Sequence, residues 1–127
     1  MTAPAWMNAV VSDFGRAAGA NGFALGASGS AALRFANGSA LRFEYTGDEL
    51  VVAMTFQLVM HVGTIRRLLS LANPRASWGV RVRSGIIAKT GAAVVAIRMP
   101  ERDVTLPAVN SAFALLWRAA EEIGGVS

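Results

Sequence analysis

Apolar residues near the start of the chain recur every three or four positions, which is the period of an amphipathic helix. This pattern predicts a helix over residues 5–18, whose apolar side consists of Trp6, Met7, Val10, Val11, Phe14 and Ala17. Pro4 suits the first turn of that helix, and Gly19 suits its end. The same period returns over Leu106–Ile123, where Thr105 is a candidate cap. The pattern therefore predicts a helix near each end of the chain.

Apolar and polar residues alternate in three segments after the first helix, which is the pattern of half-buried strands. These segments are Ser30–Phe35, Ser39–Tyr45 and Leu50–Leu58. A shift of one residue in the pairing of two strands moves every side chain to the other face. The lengths of the connecting loops therefore decide whether the three apolar faces coincide.

The first of these loops could have two residues or three. A two-residue turn at Asn37-Gly38 would set Leu33 opposite Arg42 and mix the two faces. A three-residue loop that ends at a left-handed Gly38 instead pairs Leu33 with Leu41. A four-residue loop likewise aligns the apolar faces of the second and third strands. The sequence thus predicts an antiparallel meander with one buried face.

The second half of the chain predicts, in order, a short helix and two strands over Gly63–Asn73, Gly79–Ala88 and Ala92–Met99. A three-residue turn, Lys89-Thr90-Gly91, would pair Ile87 with Ala93. Both faces of this hairpin are largely apolar, so both need a cover. With the helix over Leu106–Ile123, the predicted architecture is one α+β domain over residues 1–127. It has an antiparallel sheet flanked by helices, in the order αβββαββα.

Composition adds a second expectation about surfaces. Apolar residues make up 54% of the 127 residues and charged residues 16%, so we expect apolar area beyond what one copy buries. Cysteine is absent, which excludes disulfides and thiolate metal sites and suits a reducing cytoplasm. No apolar run approaches the length of a membrane span, and the N-terminus lacks the pattern of a secretory signal. We therefore do not expect export by a signal peptide.

Charge is unevenly distributed along the chain, whose net charge is +4. Seven cations and no acid lie between Leu50 and Pro100. A stretch of one sign favours an acidic partner, whether nucleic acid, acidic peptide or lipid surface. Within it, Arg81 and Arg83 share one strand face and are candidate contacts to such a partner. Few exposed aromatics accompany them, so a nucleic-acid-binding module is the alternative rather than the main hypothesis.

Candidate catalytic and metal-binding residues are scarce. His61, the single histidine, has no acid near it in sequence to orient it as a general base. Glu121 and Glu122 diverge on their helix and cannot share a proton or a metal ion. The run from Gly26 to Ser30 lacks the spacing of a nucleophile elbow or a phosphate loop. The sequence therefore predicts a protein without catalysis, cofactor or metal.

The order of elements resembles the class I chaperones of type III secretion, the family of the Tir chaperone. The resemblance rests on a strand-turn-strand run at Ala31–Tyr45, a helix at Ile65–Ala72, and a hairpin that ends in Arg98-Met99-Pro100 before the last helix. It implies a cytoplasmic bacterial homodimer that keeps the N-terminal region of a secreted effector ready for export. These chaperones are usually acidic, whereas this chain is basic. An acidic cargo segment would fit that difference, and a YbjN-like protein of related fold is a further alternative.

The resemblance also implies which residues bind partners. Such chaperones form their dimer from the second helix and the strand after it, and the matching positions are Ile65, Leu68, Leu69, Trp78, Val80 and Val82. Their cargo contacts apolar patches on the first helix and on the outer sheet faces, partly by adding a strand to a sheet edge. The matching positions for effector binding are Val10, Phe14, Leu33, Phe35, Val95 and Ile97.

Overall fold

A computed structural model of the chain describes residues 2–36, 38–57, 82–87 and 92–123, and for residues 82–87, 122 and 123 it describes the backbone alone. The helices are α1 (Ala5–Ala17) and α2 (Leu106–Ile123), and a short 3-10 helix covers Glu101–Asp103. The strands are β1 (Ser30–Arg34), β2 (Ala40–Tyr45), β3 (Glu49–Gln57), β4 (Val82–Ile87) and β5 (Ala92–Pro100). They form one antiparallel sheet in the order β1-β2-β3-β5-β4. The predicted α+β class is confirmed, and the predicted helix over Gly63–Asn73 lies outside the described residues.

The connection between β1 and β2 is the predicted three-residue loop. Leu33 pairs with Leu41, and Ala31 pairs with Phe43. The amide of Phe35 donates to the carbonyl of Ser39 at 2.9 Å and closes the loop. Gly38 has a φ of 89°, a left-handed conformation that glycine adopts without the steric cost of a Cβ. Loop length and register in this hairpin are therefore confirmed.

The buried face of the meander is also the predicted one. Tyr45 pairs with Leu50 across the turn from β2 to β3, as the predicted register requires, so the apolar positions of the two strands coincide. Strand β2 alternates buried and exposed residues from Leu41 to Tyr45, and Val52, Met54 and Phe56 bury the same face of β3. Polar and small residues take the opposite face, which is called the outer face below.

The register of the second hairpin differs from the prediction. Ile87 pairs with Ala92 rather than with Ala93, and Val82 pairs with Ile97. Four positions, 88–91, separate the paired ends Ile87 and Ala92, whereas the predicted turn had three. This shift of one residue reverses which positions of β4 align with each face of β5. The predicted pairing was therefore wrong, and the turn residues themselves lie outside the described ranges.

Both helices pack on the inner face of the sheet. The ring of Phe14 on α1 makes edge contacts with Phe43 of β2, at 5.4 Å between centroids, and with Phe113 of α2, at 5.5 Å. Helix α2 begins as predicted, since the amide of Ala108 donates to Thr105 Oγ1 at 3.2 Å. One core thus includes both helices and the inner side chains of the strands.

Helix α1 is rotated slightly from the predicted orientation. Met7, Val11 and Phe14 are buried, whereas Trp6 is 46% exposed and Ala17 is exposed. Successive helical residues are about 100° apart, so a buried stripe centred on Met7 leaves Trp6 at its margin. The prediction that Trp6 and Ala17 belong to the buried stripe was wrong.

Candidate partner-binding surface

Strand β1 forms an edge of the sheet. Its residues pair with β2 on one side, and no other described strand pairs with the opposite side. The side chains alternate along it: Ser30, Ala32 and Arg34 are exposed on the outer face, while Ala31 and Leu33 are half-buried on the inner face. An open edge presents backbone donors and acceptors to which another strand can bind. This edge is the most direct binding feature in the described part of the chain.

An open hollow lies beside this edge. It has a volume of about 340 Å³, and its lining consists of the loop at residues 20–24 together with residues 31–33 of β1. The lining is apolar at Phe23 and Leu33, whereas Asn21 contributes a polar side chain. The hollow leaves room for side chains of an added strand on the inner side of β1.

The apolar surface continues beyond the end of β1 into an aromatic patch, which consists of Phe35, Phe113 and Trp117. The ring of Phe35 stacks on Phe113 at 5.9 Å and meets the edge of Trp117 at 5.4 Å between centroids. All three side chains are half-buried and lie against the core. A partner that follows the inner side of β1 would therefore reach an apolar surface formed by β1 and α2.

Helix α1 contributes a second apolar feature. Trp6 is the one large apolar side chain that is exposed among the described residues. Val10, one helical turn further, is half-buried and packs against the core. Sequence reasoning missed Trp6 as a binding residue because its spacing is equally compatible with the buried stripe.

Three of the residues predicted to bind an effector lie in the core instead. Phe14, Val95 and Ile97 are 3%, 0% and 3% exposed. Val95 and Ile97 lie on the inner side of the sheet, where α2 packs on β5, and Phe14 lies on the side of α1 that packs against Phe43, so none of the three offers a surface to a partner in this fold. Val10, Leu33 and Phe35 remain half-buried and accessible.

Most of the predicted dimer residues cannot be placed. Ile65, Leu68, Leu69, Trp78 and Val80 lie outside the described residues, as does Arg81. Val82 and Arg83 belong to β4, where they pair with Ile97 and Ala96, and their side chains are not described. The dimer set and the two arginines therefore stay predictions.

The ionisable groups show one clear perturbation among the described residues. Burial and, after it, the Glu101 carboxylate raise the pKa of Tyr45 above its ordinary value. The phenol is protonated at neutral pH, and its single hydroxyl hydrogen is shared between the carbonyl of Gly47 at 2.8 Å and Glu101 Oε1 at 3.3 Å. These bonds tie the turn between β2 and β3 to the 3-10 helix, so we assign Tyr45 a structural role.

Two further searches bear on the kind of site. Within the described ranges, no three side chains of His, Asp or Glu come together as metal ligands would. Neither α1 nor α2 combines the length and apolar character that a transmembrane helix requires. Among the described residues, the open edge, the hollow, the aromatic patch and Trp6 are features of a kind that binds polypeptide.

Comparison with known protein families shows to which family the chain belongs. Residues 6–124 match the model of the type III secretory system chaperone SycN. The chain belongs to this family. The type III secretion chaperone predicted from the order of elements is thereby confirmed. None of the curated proteins matches the sequence of the chain.

Solved structures of chaperone complexes share the fold of this chaperone. A chain in the crystal structure of the ExsC-ExsE complex matches with a TM-score of 0.79 at 19% identity, covering 96% of this chain and 93% of that chain. A chain in the HopA1-SchA chaperone-effector complex gives 0.69 at 18% identity, covering 93% and 90%. A chain in the heterodimeric ExoU-SpcU complex of Pseudomonas aeruginosa gives 0.66 at 17% identity, covering 94% and 97%. At these identities the likeness establishes the fold.

Proposed function

We propose that this chaperone binds the N-terminal region of a secreted effector in the bacterial cytoplasm and keeps it competent for export, without catalysing a reaction. The observation that carries the proposal is the open edge of β1, which lies between the hollow and the aromatic patch. A polypeptide that must stay extended needs backbone partners for its amides and apolar surface for its side chains. Family membership and the chaperone-effector complexes of the same fold support this use of the edge.

The proposed effector surface combines predicted and newly found residues. Leu33 and Phe35 line the inner side of the β1 edge and its continuation, and both are half-buried. Val10 and Trp6 form a second contact on α1, where the exposed indole is the largest apolar group available. Tryptophan is enriched among the residues that dominate binding energy once a partner covers them. Trp6 is therefore the side chain whose removal should weaken effector binding most.

Coexpression tests this function directly. We expect the chaperone and the N-terminal region of a secreted protein encoded beside its gene to elute together in size exclusion. Trp6→Ala should weaken the purified complex by at least about tenfold in a binding titration, because an anchor residue contributes about 2 kcal/mol or more.

Arg16→Ala is the matched control on the same helix. Arg16 is exposed and pairs with Asp13 at 3.3 Å, so its loss should leave effector affinity unchanged. Separate elution of the two coexpressed proteins would contradict the proposed function. Equal affinity of the Trp6→Ala variant and the parent would remove α1 from the proposed surface.

We also propose that the chaperone is a homodimer that uses the predicted positions Ile65, Leu68, Leu69, Trp78, Val80 and Val82. Leu68→Asp should give monomers or aggregates in light scattering, because a buried unpaired carboxylate is costly in an apolar interface. Arg67→Asp is the control, since the sequence pattern directs Arg67 away from the apolar side of that helix. An unchanged dimer in the Leu68 variant would contradict this interface.

A further inference from the structure

Two arginines lie close together on the outer face beside the open edge. Arg42 of β2 pairs with Ala32 of β1, and Arg34 lies two residues beyond Ala32, opposite Ala40. Side chains in such a diagonal relation on one face are about 7–8 Å apart at their bases. Both arginines are exposed, and the neighbours opposite them in β1 and β2 are alanines. The guanidinium groups therefore extend beyond the small side chains around them.

The described carboxylates leave this pair of charges without an ion-pair partner. Glu49 pairs with Arg98 at 3.0 Å, and Asp13 pairs with Arg16. Glu44 shares the outer face with Arg42 but makes no ion pair with it within 4.0 Å, and no other described carboxylate pairs with Arg34 or Arg42. Two neighbouring cations on one sheet face repel each other. A carboxylate supplied from outside would convert that repulsion into attraction.

A strand that adds to the edge of β1 has alternating side chains, as β1 has. One half of them would lie on the inner side, next to Ala31, Leu33 and the hollow. The other half would lie on the outer face, next to Ala32 and Arg34, within reach of both guanidinium groups. The inner side of the edge therefore favours apolar side chains in the added strand, whereas the outer face favours acidic ones.

We propose that the segment bound at this edge alternates apolar and acidic residues, with Asp or Glu on the outer face against Arg34 and Arg42. This inference rests on the proposed function and specifies the chemistry of the effector segment. Two of the cations that contribute to the net charge of +4, Arg34 and Arg42, would then bind the partner at this edge. Arginine suits this role because its planar fork can bind carboxylates with two parallel hydrogen bonds.

Synthetic peptides test the charge requirement. The first is a labelled peptide with four Val-Asp repeats between Gly-Ser ends, and the second replaces each Asp by Ser. Exposed charge pairs each change affinity by a factor of roughly 1.5 to 5, so two pairs should favour the acidic peptide by roughly tenfold in fluorescence anisotropy at low salt. The difference should narrow at high salt, because salt screens exposed charges.

The double variant Arg34→Gln/Arg42→Gln should bind both peptides equally. Arg102→Gln/Arg118→Gln removes the same charge from exposed positions outside this sheet edge and should keep the roughly tenfold preference. All four arginines are exposed, so circular dichroism and thermal unfolding should match the parent for both variants. The proposal would be overturned if the Arg34→Gln/Arg42→Gln variant kept its preference for the acidic peptide. It would also be overturned if both double variants lost that preference equally.

Other outcomes are also decisive. Equal binding of the two peptides by the parent, or binding of neither, would overturn the inference. Tighter binding of a single-stranded oligonucleotide of equal charge than of the acidic peptide would also overturn it, in favour of a phosphate-binding surface. If the coexpressed effector complex forms and is insensitive to Arg34→Gln/Arg42→Gln, this inference fails while the proposed function stands.

Discussion

Replacing Phe43 by alanine should lower the free energy of unfolding by about 3–5 kcal/mol. The side chain is 1% exposed and lies on the inner face, on a strand flanked by β1 and β3. Its ring meets the edges of Phe14 at 5.4 Å and Phe23 at 5.6 Å, so alanine would remove two aromatic contacts and leave a cavity. Because small domains are stable by only about 5–15 kcal/mol, this variant should lose a large part of its stability. Urea denaturation followed by circular dichroism measures the loss.

Glu44→Ala is the matched control because the next residue on β2 lies on the outer face and is exposed. Its effect should stay within about 0.5 kcal/mol, as for most exposed substitutions. Similar losses for the two variants would contradict the assignment of the inner and outer faces. A loss below about 1 kcal/mol for Phe43→Ala would mean that the ring is not enclosed as described.

The meander could be predicted from sequence because its two faces differ in polarity. Leu33 had to avoid Arg42, and that single constraint selected the three-residue loop over the shorter turn. The left-handed Gly38 then completes the loop as expected. Where polar and apolar residues alternate cleanly, only one register keeps them apart, so local pattern and global packing agree.

The second hairpin was a harder case because both of its faces are largely apolar. Its register was chosen from the turn, and a three-residue turn was assumed where four positions separate Ile87 from Ala92. The assumed register sets Arg83 opposite the buried Ile97, whereas the observed register sets it opposite Ala96. Strands that are apolar on both sides specify their partners weakly from sequence.

The candidate site was predicted less well than the fold, for a related reason. Alternation shows that Val95 and Ile97 share a face, but it does not show what covers that face. In the structure α1 and α2 pack on one side of the sheet, which buries both residues together with Phe14. The resemblance already gave Leu33 as an effector-binding residue, and the strand order adds that it lies at an open edge.

The segment between α1 and β1 shows the converse case, in which residues that the sequence pattern did not mark belong to the core. No helix or strand was predicted for it, yet Phe23 and Leu25 are 9% and 4% exposed and belong to the core. The amide of Leu25 donates to Asn8 Oδ1 at 2.9 Å, which fastens the segment to α1. Loop residues that pack into the core have no regular spacing, because irregular backbone has no repeat. The periodicity of the sequence therefore does not reveal them.

Gly15→Ala should therefore destabilise the chaperone by about 1–3 kcal/mol, although glycine to alanine inside a helix is ordinarily favourable by up to about 1 kcal/mol. A Cβ at this position would lie 2.5 Å from the Cβ of Phe23 and 2.7 Å from one of its ring carbons. Rotation of the ring cannot relieve a contact with Cβ, so the loop would have to move away from α1. The midpoint of urea denaturation measures the change.

Gly26→Ala separates this contact from the general effect of adding a methyl group. An added Cβ at Gly26 meets no heavy atom within 4 Å, and its backbone does not adopt the left-handed conformation that disfavours alanine. Its stability should change by no more than about 0.5 kcal/mol. Of the two glycines, Gly15 is the one that a loop side chain contacts. A loss of stability in Gly15→Ala but not in Gly26→Ala would therefore be due to that contact. If Gly15→Ala were stabilising, Phe23 could not pack against α1, and the inner wall of the hollow beside β1 would have to be built differently.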